Sequence, residues 1–170
     1  MNSYVNLDMG LDPTDLALLE LLQTDASLSN LALAEAVHVS PPTCLRRVKR
    51  LMEAGLVERQ VAVLSADRLG QLLGHGLTAL VEVSLDRQSA EALDAFEARA
   101  VADGGVQQCY RVSPGPDFCL VVTVADMPGY HALAQRLFTA DANVRNVKAF
   151  FSVKRAKFET KWPLPLDGNK

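Results

Sequence analysis

The stretch Ser40–Gly55, SPPTCLRRVKRLMEAG, constrains the fold more than any other part of the chain. Ser40 is a helix N-cap candidate. Pro41 and Pro42 follow it into a first turn, where the N–H that proline lacks would be unpaired anyway. Leu45, Val48, Leu51 and Met52 recur at helical spacing and predict one buried face. Arg46, Arg47, Lys49 and Arg50 occupy the remaining faces with no acid among them. Gly55 stands where a helix stops in a left-handed turn. A short helix that is apolar on one side, basic on the other and capped at both ends has the shape of a major-groove reader.

The residues before it supply a scaffold for such a helix. Asp12 and Pro13 open a first helix, whose apolar face is Leu16, Leu18, Leu19, Leu21 and Leu22. Asp25-Ala26-Ser27 breaks it, and Ser29 caps a second helix over 30–37 with Leu31, Leu33, Ala34 and Val37 inward. His38-Val39 is a turn of the length a helix-turn-helix needs. The net charge of −3 excludes a generic polyanion binder, so contact with nucleic acid has to run through the local patch after Ser40.

After Gly55 the pattern changes to period two. Val57, Arg59, Val61 and Val63 alternate with Glu58, Gln60 and Ala62, which predicts a linker strand leaving the head. Residues 65–76 read as a hinge with one short helical turn. Residues 1–10 read as a loose extension, 11–64 as the head with its linker, and 77–166 as a second domain. That domain reads β-α-β-β-α-β: a strand over 77–85, a helix over 88–102, strands over 105–113 and 117–125, a helix after Asp126, and a strand over 144–154. With Ser113 opposite Asp117, the hairpin places Val106, Tyr110, Val112, Phe118, Leu120, Val122 and Val124 on one face. On the last strand Val147, Ala149, Phe151 and Val153 point inward. The fold class is therefore α+β, a three-helix head plus a ferredoxin-like sandwich. Leu80, Cys109, Cys119, Val121 and Phe150 are left on an open sheet face, and a second copy is the simplest cover for it.

Several function classes find no support. No apolar run reaches the roughly 18 residues of a membrane span. MNSYVNLDMG lacks a signal-peptide pattern, so the expectation is cytoplasmic. Cys44, Cys109 and Cys119 are odd in number and lack C-x-x-C spacing, which suggests neither a disulfide framework nor a metal site. There is no G-x-S-x-G, no H-E-x-x-H and no phosphate-binding glycine loop, so no catalytic set and no cofactor is implied.

The head stretches LDPTDLALLELLQTDASLSNLALAEAV and SPPTCLRRVKRLMEAGLV resemble the DNA-binding head of the Lrp/AsnC, or feast/famine, transcriptional regulators. CYRVSPGPDFCLVVTV and VKRAKFETKWPLPL resemble signature stretches of their effector domain. The resemblance implies a prokaryotic transcription factor. It would bind double-stranded DNA as a homodimer assembling to tetramers or octamers, with a small molecule, commonly an amino acid, held between dimers. Ser40, Thr43, Arg46, Arg47 and Arg50 match the family's DNA-facing positions. Arg46 or Arg47 is expected to read a base, while Lys49 and Arg50 favour phosphate. Arg47 or Arg50 pairing with Glu53 or Glu20 is the structural alternative.

By the same resemblance the effector cleft would draw on Gln108, Tyr110, Arg111, Gly115, Asp117, Val147 and Ala149. Asp117 matches a family aspartate, but Pro114 stands at the usual glycine, with Gly115 one place later. Val147 and Ala149 replace residues that usually offer hydroxyls. An amino acid, a larger or apolar ligand, or no ligand are all open. Two other classes also stand: a sirohaem-decarboxylase-like enzyme on the same fold, which would need His38, His75 or His131, and a chromosome-organising protein that binds DNA broadly and senses nothing.

Overall fold

The computed structural model describes residues 10–74 and 76–166; most of the N-terminal extension, and His75, lie outside the described residues. The chain forms two units, one of residues 10–63 with 157–166 and the other of residues 64–156. The stretch 157–166, which the sequence assigned to the second domain, thus groups with the head.

In the first unit α1 (Pro13–Thr24), α2 (Asn30–Ala36) and α3 (Pro41–Glu53) make the head. The start of α1 is a reciprocal cap: the Asp15 N–H donates to the Asp12 carboxylate at 2.9 Å, and the Asp12 N–H donates to the Asp15 carboxylate at 3.2 Å. Ser29 caps α2 by accepting from the Ala32 N–H. Gly55, at φ 73, ends α3 as its position predicts: the Gly55 N–H donates to the Met52 carbonyl and the Leu56 N–H to the Leu51 carbonyl, the paired bonds of a Schellman stop.

Leu18, Leu22, Leu33, Ala34, Cys44 and Leu51 form the head's core. The inward face of α3 is rotated from the expected one. Cys44, Val48 and Leu51 pack inward, whereas Leu45 is 59% exposed and Met52 lies at the rim. A four-then-three spacing that includes the small Cys44 makes a continuous stripe, and Leu45 falls outside it. The Ser40 hydroxyl also departs from its capping role: it donates to the Thr43 hydroxyl at 2.8 Å and accepts no N–H of the first turn.

The expected linker strand is a correction. Residues 58–65 form no strand among the described residues, with Val61 and Val63 exposed; a strand needs a neighbour to take its N–H and C=O groups. The segment 157–166 lies along α1. The Gln23 side-chain amide donates to the Trp162 carbonyl at 3.0 Å and accepts from the Trp162 N–H at 2.8 Å, and Lys161 Nζ meets Glu20 at 2.8 Å.

The second unit begins with α4 (Ala66–Leu73), capped by Ser65 and stopped by Gly74 at φ 70. This is a two-turn helix where the sequence suggested one turn in a hinge. β1 (Leu77–Leu85), α5 (Ala90–Ala102), β2 (Val106–Arg111), β3 (Phe118–Val124), α6 (Met127–Ala134, running on as a π-helical turn over Gln135–Thr139) and β4 (Val144–Phe151) follow. The sheet order is β2-β3-β1-β4, antiparallel at every pairing, as in a ferredoxin-like sandwich.

Ala79, Val81, Val83 and Leu85 of β1 face Phe96 and Ala100 of α5 and Tyr130, Leu133, Leu137 and Phe138 of the α6 region. Phe118 and Phe96 meet at 4.8 Å between ring centres. Each such side chain, once buried, stabilises the unit by roughly 1.5–3 kcal/mol.

The hairpin register differs from the expected one by a single residue. Arg111 pairs with Phe118, Tyr110 with Cys119 and Cys109 with Leu120. Cys109 therefore packs against the core and Tyr110 turns to the open face. A bulge between Val106 and Gln108 then resets the register, so that Val106 also reaches the core. On β4, Val147 and Ala149 point inward as expected, while Val153 lies beyond the strand and is fully exposed.

Candidate functional site

Ser40, Thr43, Arg46, Arg47, Lys49 and Arg50 all lie on α3 or at its cap, but the structure divides them. Arg47 turns toward α1. Its Nη1 donates to Asp12 at 2.6 Å and to Asp15 at 2.9 Å. Arg50 donates from Nη2 to the other oxygen of Asp15 at 2.5 Å. Asp15 is fully buried, the one charged side chain so placed among the described residues. The pairing alternative foreseen for these arginines is thus realised with Asp12 and Asp15 in place of Glu20 and Glu53. The hydrogen bonds it donates to Asp12 and Asp15 raise Arg47 above the ordinary arginine pKa. The Asp15 N–H, and then Arg47, hold the Asp12 carboxyl below the usual aspartate value.

Arg46 and Lys49 point to solvent. Lys49 has a loose partner in Glu53 at 3.6 Å, with both side chains exposed, and Arg46 has no described acid within 4 Å. Beside them the hydroxyls of Ser40 and Thr43 bond to each other at the start of the helix. The Asn30 amide donates to the Pro41 carbonyl at 2.9 Å and so ties α2 to that start. The exposed face of α3 therefore offers the Arg46 guanidinium, the Lys49 ammonium and two hydroxyls, with Arg50 partly exposed beside its bond to Asp15, a donor-rich set suited to phosphates and to guanine edges. Periodicity alone could not reveal Asp12 and Asp15. The available signal was complementary spacing: two acids three residues apart on α1, and two arginines three apart on α3.

The seven expected effector residues occupy three places. Gln108 and Tyr110 lie on the open sheet face, where the Tyr110 hydroxyl donates to the Gln108 side-chain Oε1 at 3.1 Å. With Leu80, Cys119, Val121 and Phe150 they line a shallow hollow of about 320 Å³. Arg111 turns the other way, onto α5, and binds Asp94 and Glu97 at 2.7 Å each. Gly115, at φ 125, forms the tip of the β2–β3 connection, and the Asp117 carboxylate accepts from the Leu85 N–H at 2.6 Å. Val147 and Ala149 belong to the core side of β4. Within one chain these residues do not converge on a single pocket. His38 sits in the turn of the head and His131 on α6 beside Tyr130. Among the described residues no helix is long and apolar enough to cross a membrane.

Comparison with known proteins finds two family matches along the chain. Residues 11–58 match the winged helix-turn-helix DNA-binding family, and residues 78–162 match the Lrp/AsnC ligand binding domain. The chain is 35% identical to the leucine-responsive regulatory protein of Rhizobium meliloti over 86% of its own length and 92% of the relative's. It is 33% identical to the DNA-binding transcriptional activator DecR of Escherichia coli over 91% and 99%. The crystal structure of a Neisseria meningitidis transcriptional regulator in complex with L-Met superposes with a TM-score of 0.80 at 31% identity, covering 92% of this chain and 98% of that one. A basic helix on a three-helix head, a ferredoxin-like ligand domain and similarity to these regulators over most of the chain converge: the chain belongs to the Lrp/AsnC family of transcriptional regulators.

Proposed function

We propose that this regulator reads DNA with the solvent face of α3. Arg46 is the base reader, Lys49 contacts phosphate, and the Ser40 and Thr43 hydroxyls seat the start of the helix on the backbone. The observation that carries this reading is the sorting of charge on α3: Arg46 and Lys49 face outward, while Arg47 and Arg50 are bound to α1. The test is fluorescence anisotropy on duplex DNA from upstream of the protein's own gene, at two salt concentrations. Arg46→Ala is expected to weaken binding by about 1–3 kcal/mol at one base position, and Lys49→Ala to lower the salt slope by about one unit. Binding no better than to random duplex would favour the chromosome-organising reading instead.

The ligand domain works as a homo-oligomer in this reading. The open face of the sheet carries Leu80, Tyr110 and Phe150, each more than half exposed, and a second copy covers such a face with one self-complementary patch. The segment 58–65, unpaired among the described residues, is a further surface that a second copy can pair with. The effector is a small molecule of the amino-acid class held where copies meet, which fits a single chain whose candidate residues do not converge. Binding there would shift the arrangement of subunits and so the spacing of the heads. The protein acts as a regulator and catalyses no reaction, and it works in the cytoplasm, where the DNA is. A thermal-shift screen of the standard amino acids against the full chain, repeated with DNA present, tests the ligand class. A rise in Tm with one or a few of them, together with a change in DNA affinity, is expected. No rise with any of them would exclude it.

A further inference from the structure

We propose that Asp15 is a positioning residue for DNA recognition: by holding Arg47 and Arg50 against α1 it sets the roll of α3 and leaves Arg46 and Lys49 as the helix's cations for DNA. The inference rests on the reading that α3 meets the duplex.

Asp15 is 0% exposed, and a buried carboxylate is tolerated only when its oxygens are filled. Here both are. Oδ1 accepts from Arg47, and Oδ2 accepts from Arg50 and from the Asp12 N–H. Arg47 and Arg50 are one turn apart on α3, and Asp12 and Asp15 are one turn apart on α1, so the two pairs match along parallel edges. Rolling α3 by one residue, about 100°, would break every one of these bonds at once and bury an unpaired charge. The apolar stripe of Cys44, Val48 and Leu51 sets the same roll, and the doubly paired carboxylate adds a directional, charged constraint to it. Arg46 is the neighbour of Arg47, so the roll that buries the second exposes the first.

The clamp also changes the count of cations that meet phosphate. Four basic residues on α3 suggest four released counterions, whereas Arg47 and Arg50, already neutralised, release none. Salt dependence reads this directly, and a merely structural role for Asp15 would not move it.

The experiment measures the salt slope and the ratio of affinities for a duplex selected from a random pool and a scrambled duplex of the same length. The chains compared are wild type, Arg50→Gln, Asp15→Asn and Arg46→Gln. Arg50→Gln is expected to keep the wild-type slope. Asp15→Asn, shown to be folded by circular dichroism, is expected to steepen the slope by about one to two units as the arginines are freed, and to lower the affinity ratio roughly tenfold as α3 loses its roll. A slope about one unit shallower in Arg50→Gln would overturn the proposal, since Arg50 would then be on phosphate. So would a folded Asp15→Asn with slope and ratio unchanged. If Asp15→Asn does not fold, Arg50→Gln alone decides. Arg46→Gln checks the underlying interface: if neither its slope nor its affinity falls, α3 is not the reading face and the proposal falls with it.

Discussion

A buried aspartate in one unit and a partly buried one in the other do comparable work, and neither belongs to an apolar pattern. Asp15 joins α1 to α3. Asp103, at the end of α5, accepts from the Gly105 N–H at 2.9 Å and from Arg136 at 2.8 and 3.1 Å. Replacing Asp15 with alanine strands a guanidinium in a half-buried site and should cost about 3 kcal/mol in a chemical denaturation curve, whereas Arg46→Ala should leave stability nearly unchanged. For Asp103, burial pushes the carboxyl pKa up, but the Gly105 N–H and Arg136 outweigh it and hold the group below the ordinary aspartate value of 3.8. A carboxyl depressed in the folded state contributes stability that is complete above the unfolded value and is lost as pH falls through the lower, folded one. Melting wild type beside Asp103→Asn should therefore show a gap at neutral pH that closes as the pH drops below about 3.8. In the sequence Asp15 is one more acid near a helix start, and its partners are more than thirty positions away. No apolar pattern distinguishes it, which is why pairing of Arg47 or Arg50 was expected with Glu20 or Glu53 and not with Asp15.

Helices were the most readable elements, because a cap, a period and a stop each leave a local mark. Gly55 is the sharpest instance. It sits at φ 73, and a Cβ built there would meet nothing within 4 Å. Gly55→Ala should thus cost about 1–2 kcal/mol through backbone conformation alone, with no clash, and Asn at the same site should recover part of it; thermal melts of the three chains would measure both effects. Strands were read well as strands and less well in register. Alternation in 106–111 cannot reveal that the chain carries a bulge between Val106 and Gln108, since the bulge exists only relative to the partner strand. One misplaced residue exchanged Cys109 and Tyr110 across the sheet, and the expected effector residues divided with them. The linker failed for a related reason. Residues 57–63 have the right alternation, but alternation promises only a face, and pairing needs a second strand that this chain does not supply among its described residues.

For the molecule as a whole, the chain passes between its two units twice: once through 57–65, and once where the stretch after β4 runs on to 157–166 beside α1. The second passage is held by two hydrogen bonds between Gln23 and the backbone of Trp162, each contributing about 1 kcal/mol net, and by an exposed Lys161–Glu20 pair that salt screens. Contacts between a head and a tail gain from belonging to one chain. Joined by the linker, they meet at an effective concentration in the millimolar range, which falls roughly as the −3/2 power of tether length. Occupancy of the docked tail is then a property of the spacer as much as of the contact. Trp162 is the chain's sole tryptophan and reports on that occupancy directly. Gln23→Ala should lower its steady-state anisotropy, and so should a flexible Gly-Ser insertion within 58–64, which touches no residue of the contact. Equal anisotropy with and without the insertion would mean that the tail holds by its own affinity. A graded fall with insert length would make this an entropic latch, one that lengthening or stiffening the linker can set without altering either surface.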